Sequence, residues 1–244
     1  MPESNTWLHQ ITTPYNACSL ETLPPLPDGD GGELIPLVVG CYQLNESSSD
    51  EIPGDNADHA DETREKAATR SGELRLYMIR RDLRFKEPCV VPMESGILDG
   101  KWKKSSSNGK SPLFASACAS GRIHLHSLVH DDKSSLRLDQ IASPNVDDGS
   151  NVLCLSLAWD DYTQNASDRI VSSYSNGTIA LHDVSYSQDE GEQQNIVIEE
   201  SQRWDAHSMF GCPSEVWTCS FLRGDENVVM SGADDVSTNK ISNL

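Results

Sequence analysis

Short runs in which apolar and polar residues alternate recur along the chain, and three of them align without gaps. They are SGELRLY (Ser71–Tyr77), SGRIHLH (Ser120–His126) and NGTIALH (Asn176–His182). In each, a glycine follows a small polar residue, and alternating apolar positions lead to an aromatic or imidazole ring. A period of two predicts a strand, and the glycine predicts a tight hairpin turn ahead of it. The glycines stand at 72, 121 and 177, at spacings of 49 and 56 residues. Further strands precede these turns. ILDGKW (Ile97–Trp102) leads into LFASACASG, CLSLAW (Cys154–Trp159) into RIVSSYSNG, and VWTCSF (Val216–Phe221) into NVVMSGADD. At the N-terminal side, ACSLET followed by LIPLVVGCYQL reads as a degenerate first copy. The unit is strand, loop, strand, tight turn, strand, with a fourth strand in the linking segment. Sheets repeated in this way predict an all-β fold, an antiparallel β-propeller of roughly four blades.

The spacing exceeds the forty-odd residues usual for a blade, and insertions account for the excess. Asn45–Gly72 is acidic and serine-rich, the composition of a disordered insertion between the second and third strands of the first blade. KKSSSNGKSP and SYSQDEGEQQN are shorter loops of the same kind. The formal net charge of −19 over 244 residues disfavours direct nucleic-acid binding, which needs a basic surface. It suits basic partners and solubility. No apolar run is long enough for a membrane span, and the first twenty residues lack the basic and apolar regions of a secretory signal. A cytoplasmic address, with the nucleus as an alternative, is the expectation. The seven cysteines (Cys18, Cys41, Cys89, Cys118, Cys154, Cys212, Cys219) contain no CxxC pair and read as reduced thiols, most of them packed in strands. Neither a metal nor an organic cofactor is expected.

Three features together resemble the WD-repeat family. Asp205-Ala206-His207 stands where its blades carry Gly-His, Ser231 and Asp235 of SGADD match its Ser-x-Asp turn, and LHDV (Leu181–Val184) replaces its closing Trp-Asp. The order GCYQL, SGILDGKW, LSLAWD and W-x-A-H…E-x-W…SGADD is similar to the WD-repeat diphthamide-biosynthesis proteins, the diphthine methylesterases also called diphthine methyltransferases. The resemblance runs from about Tyr15 to Asp235. It implies a propeller of about seven blades, of which four are present, and a partial propeller domain over residues 1–235. The implied activity is hydrolysis of the methyl ester of diphthine methyl ester on translation elongation factor two, which would be the protein substrate. A non-catalytic WD-repeat adaptor, or an inactive shortened product, is the alternative.

Aligning SSYSNG with SGADDV places Val236 at the glycine position of the turn, where a β-branched residue is a poor choice. The remainder, STNKISNL, lacks apolar alternation. Residues 236–244 are therefore read as a non-family tail, the fourth blade as lacking its third strand, and the isolated chain as inactive or poorly folded.

Familiar catalytic signatures are missing: there is no GxSxG and no HExxH. NGKS (Asn108–Ser111) lacks the earlier glycine of a phosphate loop, Lys104 standing there instead. His124 and His126 alternate on one strand and share a face, an arrangement open to a metal pair but better explained by packing. His126 and His182 fall at the blade position of the closing Trp, as Tyr77 does. His207, Ser231 and Asp235 are expected to form a structural blade network, following the family pattern. The same His–Asp pairing could orient a general base, so His207 and Asp235, with Glu215 and Asp234, are the catalytic candidates. Trp102, Trp159, Trp204 and Trp217 are expected in blade cores, with one facing the central channel, where an aromatic ring could bind a quaternary ammonium.

Overall fold

A computed structural model of the chain describes residues 10–28, 31–45, 69–80, 85, 88–104, 111–130, 135–143, 151–161, 168–188 and 194–242. All regular structure among them is β. The first sheet holds β1 (Asn16–Thr22), β2 (Leu26–Pro27), β3 (Glu33–Asn45), β4 (Thr69–Arg80) and β5 (Cys89–Met93), ordered β1-β3-β4-β5 with β2 beside β3. The second holds β6 (Ile97–Trp102), β7 (Leu113–Cys118), β8 (Ile123–His130) and β9 (Leu136–Ala142). The third holds β10 (Cys154–Trp159), β11 (Asp168–Tyr174), β12 (Thr178–Gln188) and β13 (Gln194–Asp205). A small hairpin of β14 (Ser208–Met209) and β15 (Cys212–Pro213) precedes a last sheet of β16 (Val216–Leu222), β17 (Asp225–Ala233) and β18 (Thr238–Ser242). Pairing is antiparallel in sequence order, so the four sheets are propeller blades. Their first strands β1, β6, β10 and β16 lie next to one another around a common axis.

Side-chain alternation distributes each blade between two cores. Leu74, Leu76 and Met78 of β4 face the second blade, meeting Ile97, Phe114 and Leu128, whereas Tyr77 points to the opposite face with Leu37, Val39 and Cys41. Ala115, Ala117, Ile123 and Leu125 of the second blade pack on Leu157, Ile170 and Ala180 of the third. Val171, Ile179 and Leu181 then meet Val216, Phe221 and Val229 of the fourth. Each fully buried Ile or Leu among these contributes about 1.5–3 kcal/mol by leaving water.

Gly121 and Gly177 open the third strands of their blades with φ of 78° and 82°, as the hairpin turns require. Gly72 differs from the turn reading. It pairs with Tyr42 inside the β3–β4 ladder, and a Cβ there would lie 2.4 Å from the Ser95 carbonyl oxygen and 2.6 Å from the Gly96 Cα. Close backbone approach, rather than a left-handed turn, requires glycine at this place. The insertion read as Asn45–Gly72 is shorter in the structure, because β3 runs to Asn45 and β4 starts at Thr69. Residues 46–68 lie outside the described residues, as do 108–110 of the NGKS segment.

Val236 occupies the turn position aligned with Gly177, and its φ is 57°. The fourth blade does not lack its third strand, contrary to the expectation from sequence. β18 pairs with β17 from Gly232↔Thr238 to Val228↔Ser242. Ladder hydrogen bonds come from the backbone and do not need apolar alternation. Ile241, partly buried against the core between the third and fourth blades, supplies apolar packing. Residues 238–242 therefore complete a three-stranded fourth sheet.

Candidate functional site

One irregularity recurs in every inner strand. Pairing of β1 with β3, β6 with β7, β10 with β11 and β16 with β17 skips a single residue, Cys18, Leu98, Leu155 and Trp217 respectively. A β-bulge turns its extra side chain out of the normal alternation. All four bulge residues line one cavity of about 750 Å³ at the propeller axis. Three residues further along the same strands, Glu21, Lys101, Ala158 and Ser220 line it too.

The blades are tied together around this cavity by polar contacts of the inner strands. Trp102 Nε1 donates to the Glu21 carbonyl (3.4 Å), and Trp159 Nε1 donates to the Lys101 carbonyl (3.0 Å). Each Trp thus bonds the equivalent position of the preceding blade. Phe221 takes the corresponding place in β16, lying under the Arg169 guanidinium at 5.5 Å. Asp99 accepts from the Gly100 amide (2.8 Å) and Lys101 Nζ (3.1 Å) with one oxygen, and from Ser156 Oγ (2.9 Å) and the Leu157 amide (3.1 Å) with the other. Lys101 also donates to Glu21 (2.7 Å). The cavity wall carries three carboxylates, Glu21, Asp99 and Asp161, against Lys101 and Lys104. Asp161 is the carboxylate whose pKa is raised, by burial, against the lowering influence of the Lys104 amide 3.1 Å away.

Of the four tryptophans read from the sequence, Trp102, Trp159 and Trp217 line the cavity, and Trp217 is the exposed one. It is 53% exposed, and its Nε1 donates to Asp234 Oδ1 at 2.8 Å. Trp102 and Trp159 border the cavity with buried rings that join blades, and Trp204 packs partly buried on the core between the third and fourth blades.

The remaining sequence-derived candidates gather at the end of the fourth blade where its strand β16 begins. His207 is buried, with Nδ1 3.0 Å from Asp235 Oδ2 and 3.1 Å from Ser237 Oγ, and Nε2 2.9 Å from Ser231 Oγ. Both ring nitrogens are thus engaged within the blade. Hydrogen bonds from Ser237, and then from His207, hold the Asp235 carboxyl below the usual range. Glu215 meets the same turn through its backbone, its carbonyl accepting from the Asp234 amide at 3.2 Å. The structure brings His207, Ser231 and Asp235 together and gives Asp234 to Trp217.

His126 and His182 repeat a simpler version of this contact. His126 Nε2 lies 3.1 Å from Ser116 Oγ, and His182 Nε2 lies 2.8 Å from Ser172 Oγ. Burial lowers their pKa values to about 3 and about 4. His124 sits on the same face as His126, with ring centroids 6.4 Å apart, and its Nε2 is 3.4 Å from Glu94. Among the described residues no group of three or more His, Cys, Asp and Glu could hold a metal. Cys41, Cys118, Cys154 and Cys219 are buried, and the seven cysteines are unpaired.

Sequence reading missed the bulge positions, Asp99 and Asp161. Superposing the four inner strands would have aligned Cys18, Leu98, Leu155 and Trp217, but strict alternation assigns such positions to a blade face.

No family model matches the chain. Diphthine methyltransferase of Schizosaccharomyces pombe (strain 972 / ATCC 24843) is 28% identical over 202 residues, covering 82% of this chain. The alignment spans 46% of that protein, so the chain corresponds to about half its length. Two solved structures overlap the chain, BBS1N in complex with ARL6DN and Drosophila Semaphorin 1a extracellular domains 1-2. They are 12% and 8% identical, with TM-scores of 0.40 and 0.48. They cover 95% and 91% of this chain and 68% and 56% of their own; at these scores the likeness carries no weight. The blade order makes this chain a β-propeller, and over 82% of its length it is similar to a diphthine methyltransferase.

Proposed function

We propose that the chain serves the diphthamide pathway by hydrolysing the methyl ester of diphthine methyl ester on translation elongation factor two. Water adds to the ester carbonyl, the methoxy group departs as methanol after taking up a proton, and a carboxylate remains for amidation. The observation that carries this reading is the similarity to diphthine methyltransferase over 82% of the chain. The axial cavity supports it chemically. A trimethylammonium group can lie over the exposed face of Trp217 by cation–π attraction. The Asp234 carboxylate that accepts from the indole N–H adds negative charge at the ring edge. Asp161, with its raised pKa at the cavity wall, is suited to take a proton from attacking water. His207, with both nitrogens engaged, is assigned to holding the turn.

The name of the relative speaks of methyl transfer, and one assay separates the two chemistries. Purified elongation factor bearing the methyl ester is incubated with the protein, with and without S-adenosylmethionine, and methanol is measured. Methanol release that needs no methyl donor supports the hydrolase. Methyl incorporation from the donor without methanol release would overturn it.

A further inference from the structure

Between the third and fourth blades the chain makes a short hairpin, β14–β15, whose tip is Phe210-Gly211. Phe210 is 98% exposed and has a φ of 53°, and Gly211 follows with 82°. Two successive residues with positive φ match the type I′ turn, in which Asn-Gly is favoured and a bulky aromatic is strained. Among the described residues nothing packs on the tip: the ring is in solvent, and a Cβ on Gly211 would meet nothing within 4 Å.

The base of the hairpin, by contrast, is firmly seated. Ser208 pairs with Pro213 and Met209 with Cys212. The Ser214 amide donates to the His207 carbonyl at 3.2 Å, and the His207 amide donates to the Gly177 carbonyl at 3.0 Å. A Cβ at Gly177 would come 2.4 Å from the His207 carbonyl oxygen, so the hairpin root presses on the turn of the third blade. Through His207 it is also joined to Asp235 in the turn of the fourth. A strained, exposed aromatic on a rigid root is a device for contact with something outside the chain.

The surroundings define that partner. Met209 and Trp217 are also exposed nearby in sequence, at 37% and 53%, and Val236 beside Asp235 is 95% exposed. Segments 204–217 and 232–239 carry the carboxylates Asp205, Glu215, Asp234 and Asp235, with Arg203, paired to Glu200, and Lys240 at their borders. We propose that the β14–β15 hairpin is a docking knob for a basic protein surface that offers an apolar socket to Phe210. The partner's identity rests on the proposed function, in which it is the elongation factor carrying the modified histidine. The knob would then bring that factor to the cavity that Trp217 lines.

Phe210→Asn provides a clean test, because Asn-Gly suits the turn while removing the ring. Binding of purified elongation factor two to the immobilised protein is measured at low and high salt, beside melting temperature and methanol release. Expected are an unchanged or higher melting temperature, affinity at least tenfold weaker, and binding by the wild type that weakens with salt. Affinity indifferent to Phe210→Asn, or no binding of the factor at all, would overturn the docking role. Binding that depends on Phe210 without methanol release would leave docking standing and sink the ester chemistry. Methanol release with Phe210-independent binding would do the reverse.

Discussion

At the scale of single residues, buried imidazoles set an acid limit on the fold. His126 and His182 titrate at about 3 and about 4 when folded, because burial disfavours the imidazolium, and near 6.5 when unfolded. Between those values the unfolded chain binds protons that the folded chain excludes. Stability is therefore full above about pH 6.5 and falls as pH drops toward 4, by up to about 1.4 kcal/mol per histidine per pH unit. Unfolding followed from pH 7 to pH 5 should show this fall, and His182→Gln should flatten it; parallel curves would refute the assignment. Val236 is a second local case. A β-branched residue at φ 57° is strained, so Val236→Gly should stabilise the chain by about 1 kcal/mol, read from urea unfolding. Trp217 tests the cavity. Trp217→Leu keeps an apolar side chain but removes the π face, and about 0.5–2 kcal/mol of cation attraction should appear as a raised KM with kcat little changed. His207→Ala should lower the melting temperature together with any activity, since it leaves Ser231 and Asp235 without their shared partner. Loss of activity at unchanged melting temperature would instead make His207 catalytic.

At the scale of elements, the inner strands owe their function to their irregularities. Each bulge releases one side chain from the blade face and turns it to the axis, so four ordinary strands build a lined cavity. The β3–β4 hairpin shows the opposite constraint, a place where no side chain fits. Gly72→Ala would push a methyl group against the Ser95 carbonyl oxygen and the Gly96 Cα, both backbone atoms. It should cost about 1–3 kcal/mol by overpacking, whereas a turn glycine would have been sensitive through φ instead. Chemical denaturation of Gly72→Ala beside wild type checks this. Strand identities could be read from alternation with few errors, because a half-buried strand must alternate. The strand after Val236 could not, since its pairing is carried by backbone groups and its polar side chains give no pattern.

At the scale of the molecule, neighbouring blades are joined by apolar cores and by a few partly buried polar bonds near the axis. Trp159 links the third blade to the second through the Lys101 carbonyl. Trp159→Phe keeps most of the packing but leaves that carbonyl without its donor, and about 1–2 kcal/mol of stability should be lost in thermal or urea unfolding. Asp99 acts between the same two blades with four accepted bonds. Its removal should exceed the Trp159 effect, since Ser156 and the Leu157 amide would both lose a charged acceptor; equal or smaller loss would show that solvent replaces it.

The all-β class, the blade repeat and most of the strands were legible in the amino-acid order, and the grouping of His207 with Ser231 and Asp235 was expected from the family resemblance. Each depends on local periodicity, or on a motif whose members lie within one blade. The axial cavity, the bulged Trp217, the bridging Asp99 and the exposed Phe210 were not. Those arise where strands distant in sequence meet, and a residue such as Leu98 or Trp217 acquires its direction only from the register of the strand beside it. Register in turn is set by which faces the neighbouring blades can bury together, a condition that no single stretch of sequence contains.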